Sequence, residues 1–142
     1  MTPENFYWYS SVLIFFPWLA LTFAPNWKWS ETLASVSAII LLIASTYFTI
    51  IYLRSGHEGG GHVFSFEGIT HLFRSTEMLM TGWLNYLAFA LLVGIWETND
   101  AHKNKIPHIF VAPCLLLTFV MGPTGLLLYL LVRWVRTRSL KI

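Results

Sequence analysis

The chain has few of the charged residues that a soluble protein needs at its surface. Of its 142 residues, 11% are charged and 56% are hydrophobic, whereas ordinary globular chains carry about 25% charged residues. This shortage excludes a soluble fold, because so few charges could not cover so much apolar surface. The basic residues also form no run or stripe that could follow a phosphate backbone, which argues against a nucleic-acid partner.

Cysteine and clustered metal ligands are also scarce. The single cysteine, Cys114, excludes an internal disulfide and a Cys-rich metal site. The sequence His57-Glu58-Gly59-Gly60-Gly61-His62 resembles a zinc signature, but its histidines are five residues apart and the signature needs four. No histidine lies in the middle of an apolar segment, which argues against a haem held between facing membrane helices. We therefore predict no metal site, no required cofactor and no catalytic residue from spacing.

Long apolar segments and aromatic residues are abundant instead. The chain has seven Trp, six Tyr and eleven Phe residues, and aromatic side chains favour the membrane interface. Crossing a bilayer takes about 20 helical residues. Four segments approach or exceed that length, and we predict an all-α membrane protein, one domain over 1–142, with spans near 6–23, 33–53, 78–96 and 109–132. Between the second and third spans, residues 66–74 could form a short helix in the interface plane.

The basic residues between the predicted spans indicate an orientation. Cytoplasmic loops of membrane proteins carry an excess of Lys and Arg. With four spans, one side has six such residues and the other side has three, Lys28, Lys103 and Lys105. The six are Arg54, Arg74, Arg133, Arg136, Arg138 and Lys141. We therefore expect both termini to lie in the cytoplasm. We expect the membrane to be a bacterial inner membrane or a photosynthetic membrane.

Two features interrupt the apolar segments. The fourth segment contains Pro113 and the run 121–125, MGPTG, and a mid-span Gly-Pro pair indicates a kink or a break. Such a break can expose backbone groups to a ligand or serve packing alone. At the end of the third segment, Asp100 is expected to be solvated, and Glu97 could be either solvated or functional.

Asn85 is the single amide in the stretch 82–94, GWLNYLAFALLVG. An amide in lipid normally bonds to a neighbouring helix. An interhelical hydrogen bond is therefore our expectation for Asn85, ahead of a role in ligand binding.

The second half of the chain contains the motifs GWLNYLAFALLVGIWETNDA (82–101), IPH (106–108) and PCLLLTFVMGPTGLLLYLLVR (113–133). With these motifs as its most specific part, the chain resembles, over nearly its whole length, the abscisic-acid-deficient-four-like membrane family, which is related to neoxanthin synthesis. The resemblance implies a four-span protein linked, in plants, to the conversion of violaxanthin to neoxanthin, which opens an epoxide to an allene without net redox change. The residues that match the family pattern are Trp83, Tyr86, Phe89, Asp100, Pro107, His108, Pro113, Gly122, Pro123 and Gly125.

Two positions depart from that pattern. The family motif G-W-x-H-Y-L-A-F-D has histidine where this chain has Asn85 and aspartate where it has Ala90. Opening an epoxide calls for a proton donor and a base, and neither Asn nor Ala can serve.

Two functions therefore stay open. The first is a non-catalytic accessory subunit of a larger membrane assembly, such as a photosynthetic pigment-protein complex, which contacts lipid and other subunits and could hold carotenoid or (bacterio)chlorophyll. The second is a carotenoid-modifying enzyme that uses Glu97, Asp100, His108 or His71 in place of the missing pair. The residues expected to contact pigment or lipid are Trp83, Asn85, Tyr86, Phe89, Trp96, His108 and Pro123.

Overall fold

The computed structural model describes residues 3–55 and 61–138, and the chain is helical through most of these ranges. The helices are α1 (Pro3–Phe23), α2 (Ser30–Arg54), α3 (Phe66–Leu72), α4 (Thr76–Lys103), α5 (His108–Met121) and α6 (Pro123–Thr137). The all-α prediction is confirmed, and so is the short helix expected within 66–74. Of the zinc-like sequence, positions 57–60 lie outside the described residues.

Three of these helices, α1, α2 and α4, are long and apolar enough to cross a membrane. The start of α1 lies beside the end of α2 and the start of α4, because Phe6 contacts Phe48 at 5.0 Å and Tyr7 contacts Trp83 at 5.3 Å between ring centroids. Small residues let helices approach closely in a membrane. The α2 and α4 residues buried in this core include Ala34, Ala38, Leu41, Leu84, Ala88 and Leu91.

The predicted fourth span, 109–132, is not confirmed as a single crossing, because α5 and α6 form a helical hairpin. The Arg136 guanidinium lies 4.7 Å from the centre of the Phe110 ring. One straight helix would separate these residues by about 39 Å. The chain therefore reverses at Gly122, and each arm is only about 20 Å long, short of the roughly 30 Å hydrocarbon core. Of the two expectations for the Gly-Pro pair, the break is the correct one.

The hairpin also determines at which end of the bundle α6 ends. His108 at the start of α5 donates a hydrogen bond from Nε2 to the carbonyl oxygen of Thr22, at 2.6 Å, so the open end of the hairpin lies beside the end of α1. Arg133 in α6 contacts Asp100 near the end of α4. The first and last described residues therefore lie at opposite ends of the bundle. The expectation that both termini share one side of the membrane depended on a fourth crossing, and the hairpin removes that basis.

Candidate functional site

The tip of the hairpin is held by a tyrosine of α4. Gly122 has φ 46° and ψ −95°, a positive φ that glycine adopts most readily, and Pro123 begins α6 at a position where proline needs no backbone donor. The Tyr86 hydroxyl donates to the carbonyl oxygens of Phe119 and Val120, at 3.1 and 3.2 Å. These carbonyls belong to the last turn of α5, where helix carbonyls lack partners of their own. Tyr86 therefore caps the C-terminal end of α5 at the hairpin tip.

A cavity of about 510 Å³, here called the tip cavity, lies between α1, α4 and the hairpin tip. Trp83 stacks on Tyr86 with ring centroids 5.9 Å apart. The Trp83 indole nitrogen is buried and has no hydrogen-bond partner among the described residues. The cavity is thus lined by aromatic rings, and one of them carries a buried N–H donor that has no partner among the described residues. Its lining residues are Tyr7, Ser11, Ile14, Trp83, Tyr86, Leu87, Phe119 and Val120.

A second cavity of about 280 Å³, here called the side cavity, lies between α4 and the hairpin. Tyr86 borders both cavities. Almost the whole wall of the side cavity is apolar, and Thr118 is one of the residues that line it. The lining residues are Tyr86, Phe89, Ala90, Val93, Thr118, Gly122, Pro123 and Leu126.

Glu97 lies behind the side cavity. It is fully buried, and the Thr118 hydroxyl donates to its Oε1 at 2.9 Å. Its other oxygen, Oε2, has no partner among the described residues. Thr118 therefore contacts this carboxyl and also belongs to the residues that line the side cavity. Its burial argues against the solvated alternative for Glu97, and a functional role stays a prediction.

Asp100, in contrast, is hydrogen-bonded to two residues of α6. Its Oδ2 accepts a hydrogen bond from Arg133 Nε at 2.6 Å and another from the Tyr129 hydroxyl at 2.7 Å. The side chains of Arg133 and Asp100 are only 8% and 12% exposed. The expectation that Asp100 is solvated is wrong, because α6 folds back over the end of α4 and brings a cation to it.

The comparison with known families confirms the resemblance found in the sequence. The family described as ABA DEFICIENT 4-like matches residues 5–129. The chain belongs to this family. It is therefore a membrane protein related to neoxanthin synthesis. No curated protein and no solved structure matches the chain significantly.

The two departures from the ABA DEFICIENT 4-like pattern lie in different places. Ala90 is buried and lines the side cavity, so an aspartate at this position would border the same space as Thr118. Asn85 is half-buried and lines neither cavity. The hydrogen bond expected between Asn85 and a neighbouring helix does not occur within the described part of the chain.

The other residues expected to contact pigment or lipid divide into two groups. Trp83, Tyr86, Phe89 and Pro123 line the two cavities. Trp96 packs edge-on against Tyr129 at 5.6 Å, and His108 bonds to a carbonyl of α1, so both serve the packing of the hairpin. Their contact with pigment or lipid stays a prediction.

Several residues of the site are not predicted from the sequence. The residues that line its cavities or make its polar contacts include Tyr7, Thr118, Tyr129 and Arg133. The position of Arg133 directly after an apolar segment is a sequence signal for a polar contact, because a cation there has to pair with an anion or reach water. The other three have no local signature, since their partners lie on distant helices.

Proposed function

We propose that this protein binds an oxygenated carotenoid in the tip cavity, as a non-catalytic accessory subunit of a pigment-containing membrane assembly. The observation that carries the proposal is an aromatic cavity lined by Trp83, whose buried indole N–H has no partner among the described residues. A buried donor of this kind calls for an acceptor, and the hydroxyl, carbonyl or epoxide oxygen of a carotenoid ring supplies one. Kinship with a neoxanthin-related family supports the same ligand class.

The shape and chemistry of the tip cavity suit one end of a carotenoid. Its volume of about 510 Å³ lies within the usual range for small-molecule sites, about 300–1,000 Å³. The hairpin spans only part of the membrane depth, so a polyene tail could leave the cavity along α1 and α4 into lipid. A chlorophyll fits less well, because no histidine that could ligate its magnesium lines either cavity.

The non-catalytic role is supported by the partners and the exposure of the candidate acids and bases. Asp100 is paired with Arg133, His108 is bonded to the carbonyl of Thr22, and His71 is exposed on α3. The positions of the family's histidine and aspartate hold Asn85 and Ala90. Of the residues proposed to replace that pair, Glu97 alone is both buried and partly unpartnered.

The binding proposal can be tested with purified protein in nanodiscs loaded with a dihydroxy carotenoid or with its hydrocarbon parent. We expect the wild type to retain the oxygenated pigment preferentially. Trp83→Phe should reduce that preference roughly three- to tenfold, because it removes one hydrogen bond. Trp134→Phe, at a half-exposed tryptophan of α6, is the matched control. Equal retention of both pigments by the wild type would refute the proposal.

A second function, carotenoid isomerisation, is favoured by Glu97 and its hydroxyl contact. Opening an epoxide to an allene breaks one C–O bond, adds a proton to the oxygen and removes a proton from a polyene carbon, so atoms and electrons balance. One carboxyl that gives and then regains a proton could carry out both transfers, and Thr118, which contacts it, lines the side cavity. Catalysis of this kind contributes about 10²- to 10⁴-fold.

This second function makes a different prediction. If it holds, the wild type converts an epoxy-carotenoid to an isomer of equal mass, and Glu97→Gln abolishes conversion without affecting retention. Chromatography with mass spectrometry gives the result. Retention without conversion in the wild type would leave the accessory role and exclude the enzyme.

We also propose an orientation with the open end of the hairpin in the cytoplasm. Among the described residues, the end of the bundle that holds the open hairpin carries six basic side chains, and the other end carries two, Arg54 and Arg74. The excess of basic residues marks the cytoplasmic side. The six are Lys28, Lys103, Lys105, Arg133, Arg136 and Arg138.

Cysteine labelling tests this orientation. In a Cys114→Ala background, an impermeant maleimide should label Val63→Cys in intact cells, and Asn26→Cys and Arg138→Cys only in inverted vesicles. Labelling of Val63→Cys and Arg138→Cys from the same side would contradict the hairpin.

A further inference from the structure

A strip of α4 formed by Asn85, Phe89 and Leu92, here called the Asn85 strip, is not covered by the rest of the chain. Residues at this spacing lie on one face of a helix. Phe89 is 58% exposed and Leu92 is 39% exposed, while Asn85 is half-buried. The Asn85 strip therefore lies between the face of α4 that packs on α2 and the face that carries the hairpin.

Asn85 is the unusual member of the strip. Its amide has two N–H donors and a carbonyl acceptor, and none of these bonds to another described residue. Asn85 is nine residues into α4, about 14 Å from its start. The next residue, Tyr86, contacts the hairpin tip, so the amide lies at the depth of the tip. Lipid tails offer no hydrogen-bond partner there.

We propose that the Asn85 strip is the contact between two copies of this chain, paired about a two-fold axis that passes near Asn85. A primary amide is self-complementary, because its N–H can donate to the carbonyl of the same group in the partner while accepting in return. Polar groups of this type strengthen helix pairing in membranes. Phe89 and Leu92 would supply apolar contact on one side of the amide pair.

The carotenoid proposed for the tip cavity does not compete for this surface. Trp83, which borders that cavity, precedes Asn85 by two residues and therefore points about 160° away around the helix axis. The dimer proposal does not rest on the carotenoid proposal, and each can fail without the other.

The test is energy transfer between donor- and acceptor-labelled full-length chains in liposomes, measured over a range of protein-to-lipid ratios. We expect concentration-dependent transfer for the wild type. Asn85→Leu should weaken association roughly tenfold, and Asn85→Gln, which keeps the amide, should weaken it less. Thr46→Val is the matched control, since Thr46 is an exposed polar residue of α2 that bonds to its own helix.

Disulfide formation gives an independent measurement. In a Cys114→Ala background, Asn85→Cys should form a covalent dimer under mild oxidation, whereas Ile43→Cys on the exposed surface of α2 should not. The proposal is overturned if the wild type stays monomeric at the highest protein-to-lipid ratio, or if Asn85→Leu associates as strongly as the wild type. It is also overturned if Asn85→Leu alters pigment retention alone, since Asn85 would then contact a ligand.

Discussion

Helix α2 and the hairpin pack against α4 in different ways. Between α2 and α4 the contact is mainly apolar, and its closest side-chain hydrogen bond runs from the Ser45 hydroxyl to the carbonyl of Thr81, at 3.3 Å. The hairpin is attached through polar side chains of α4 at three levels, Tyr86, Glu97 and Asp100, with distances between 2.6 and 3.2 Å.

This difference follows from the length of the helices. A helix that crosses the whole membrane places both of its ends near water, and close packing is enough to hold it against a neighbour. A half-length helix ends inside the membrane, where its terminal carbonyls need partners. Polar residues of α4 supply these partners and also fix the position of the hairpin. The candidate site therefore lies at the hairpin, where polar groups have a structural reason to be buried.

The largest effect should come from Asp100→Ala. It leaves the buried Arg133 guanidinium without its carboxylate, and breaking a buried pair in this way costs about 3–5 kcal/mol. The free energy of unfolding in mixed micelles, measured by titration with SDS, gives the result. Glu31→Ala, at an exposed acid of α2, should change it by less than about 0.5 kcal/mol.

A double variant separates the charge from the shape of this contact. Asp100→Ala combined with Arg133→Met removes both charges and should recover part of the lost stability. If Asp100→Ala is no more harmful than Glu31→Ala, the polar attachment of the hairpin is refuted.

Gly125→Ala should have the next largest effect. A Cβ at Gly125 would overlap the backbone nitrogen of Thr118, so the two arms of the hairpin would have to separate. Overpacking of this kind costs about 1–3 kcal/mol. Gly82→Ala is the matched control, because its Cβ would meet only the ring of Phe73, a half-exposed side chain that can turn away. Equal losses of stability would show that the close approach of the arms is unimportant.

Tyr86→Phe should have a smaller effect on stability, about 0.5–1.5 kcal/mol, because it removes the hydrogen bonds to the α5 carbonyls and keeps the ring. Tyr47→Phe on the exposed face of α2 should be neutral. If the tip of the hairpin shapes the tip cavity, Tyr86→Phe should also lower carotenoid retention. A loss of stability no greater than that of Tyr47→Phe would contradict the capping role of Tyr86.

The three full spans could be predicted from sequence because each is a continuous apolar segment of sufficient length. The hairpin could not, since a kinked span and a fold-back share the same local signals at Gly122 and Pro123. Contacts between distant residues distinguish the two, above all Arg133 with Asp100. The same limit applies to the site. Trp83 and Tyr86 were predicted from the family pattern, whereas Tyr7 joins them only through the packing of α1 on α4.

Because α2 packs on α4 mainly through apolar contacts, we also expect one substitution in α2 to leave the free energy of unfolding almost unchanged. Ser45→Ala removes the one buried side-chain hydrogen bond from α2 to α4, yet its length of 3.3 Å makes it weak. The Thr81 carbonyl keeps its place within the helix ladder, so no buried acceptor loses its only partner. We expect a loss of about 0.6 kcal/mol or less, the average for polar contacts between membrane helices. Unfolding in SDS beside Thr46→Val measures it. If Ser45→Ala costs as much as Tyr86→Phe, α2 and the hairpin depend equally on polar contacts, and the position of the candidate site loses its structural explanation.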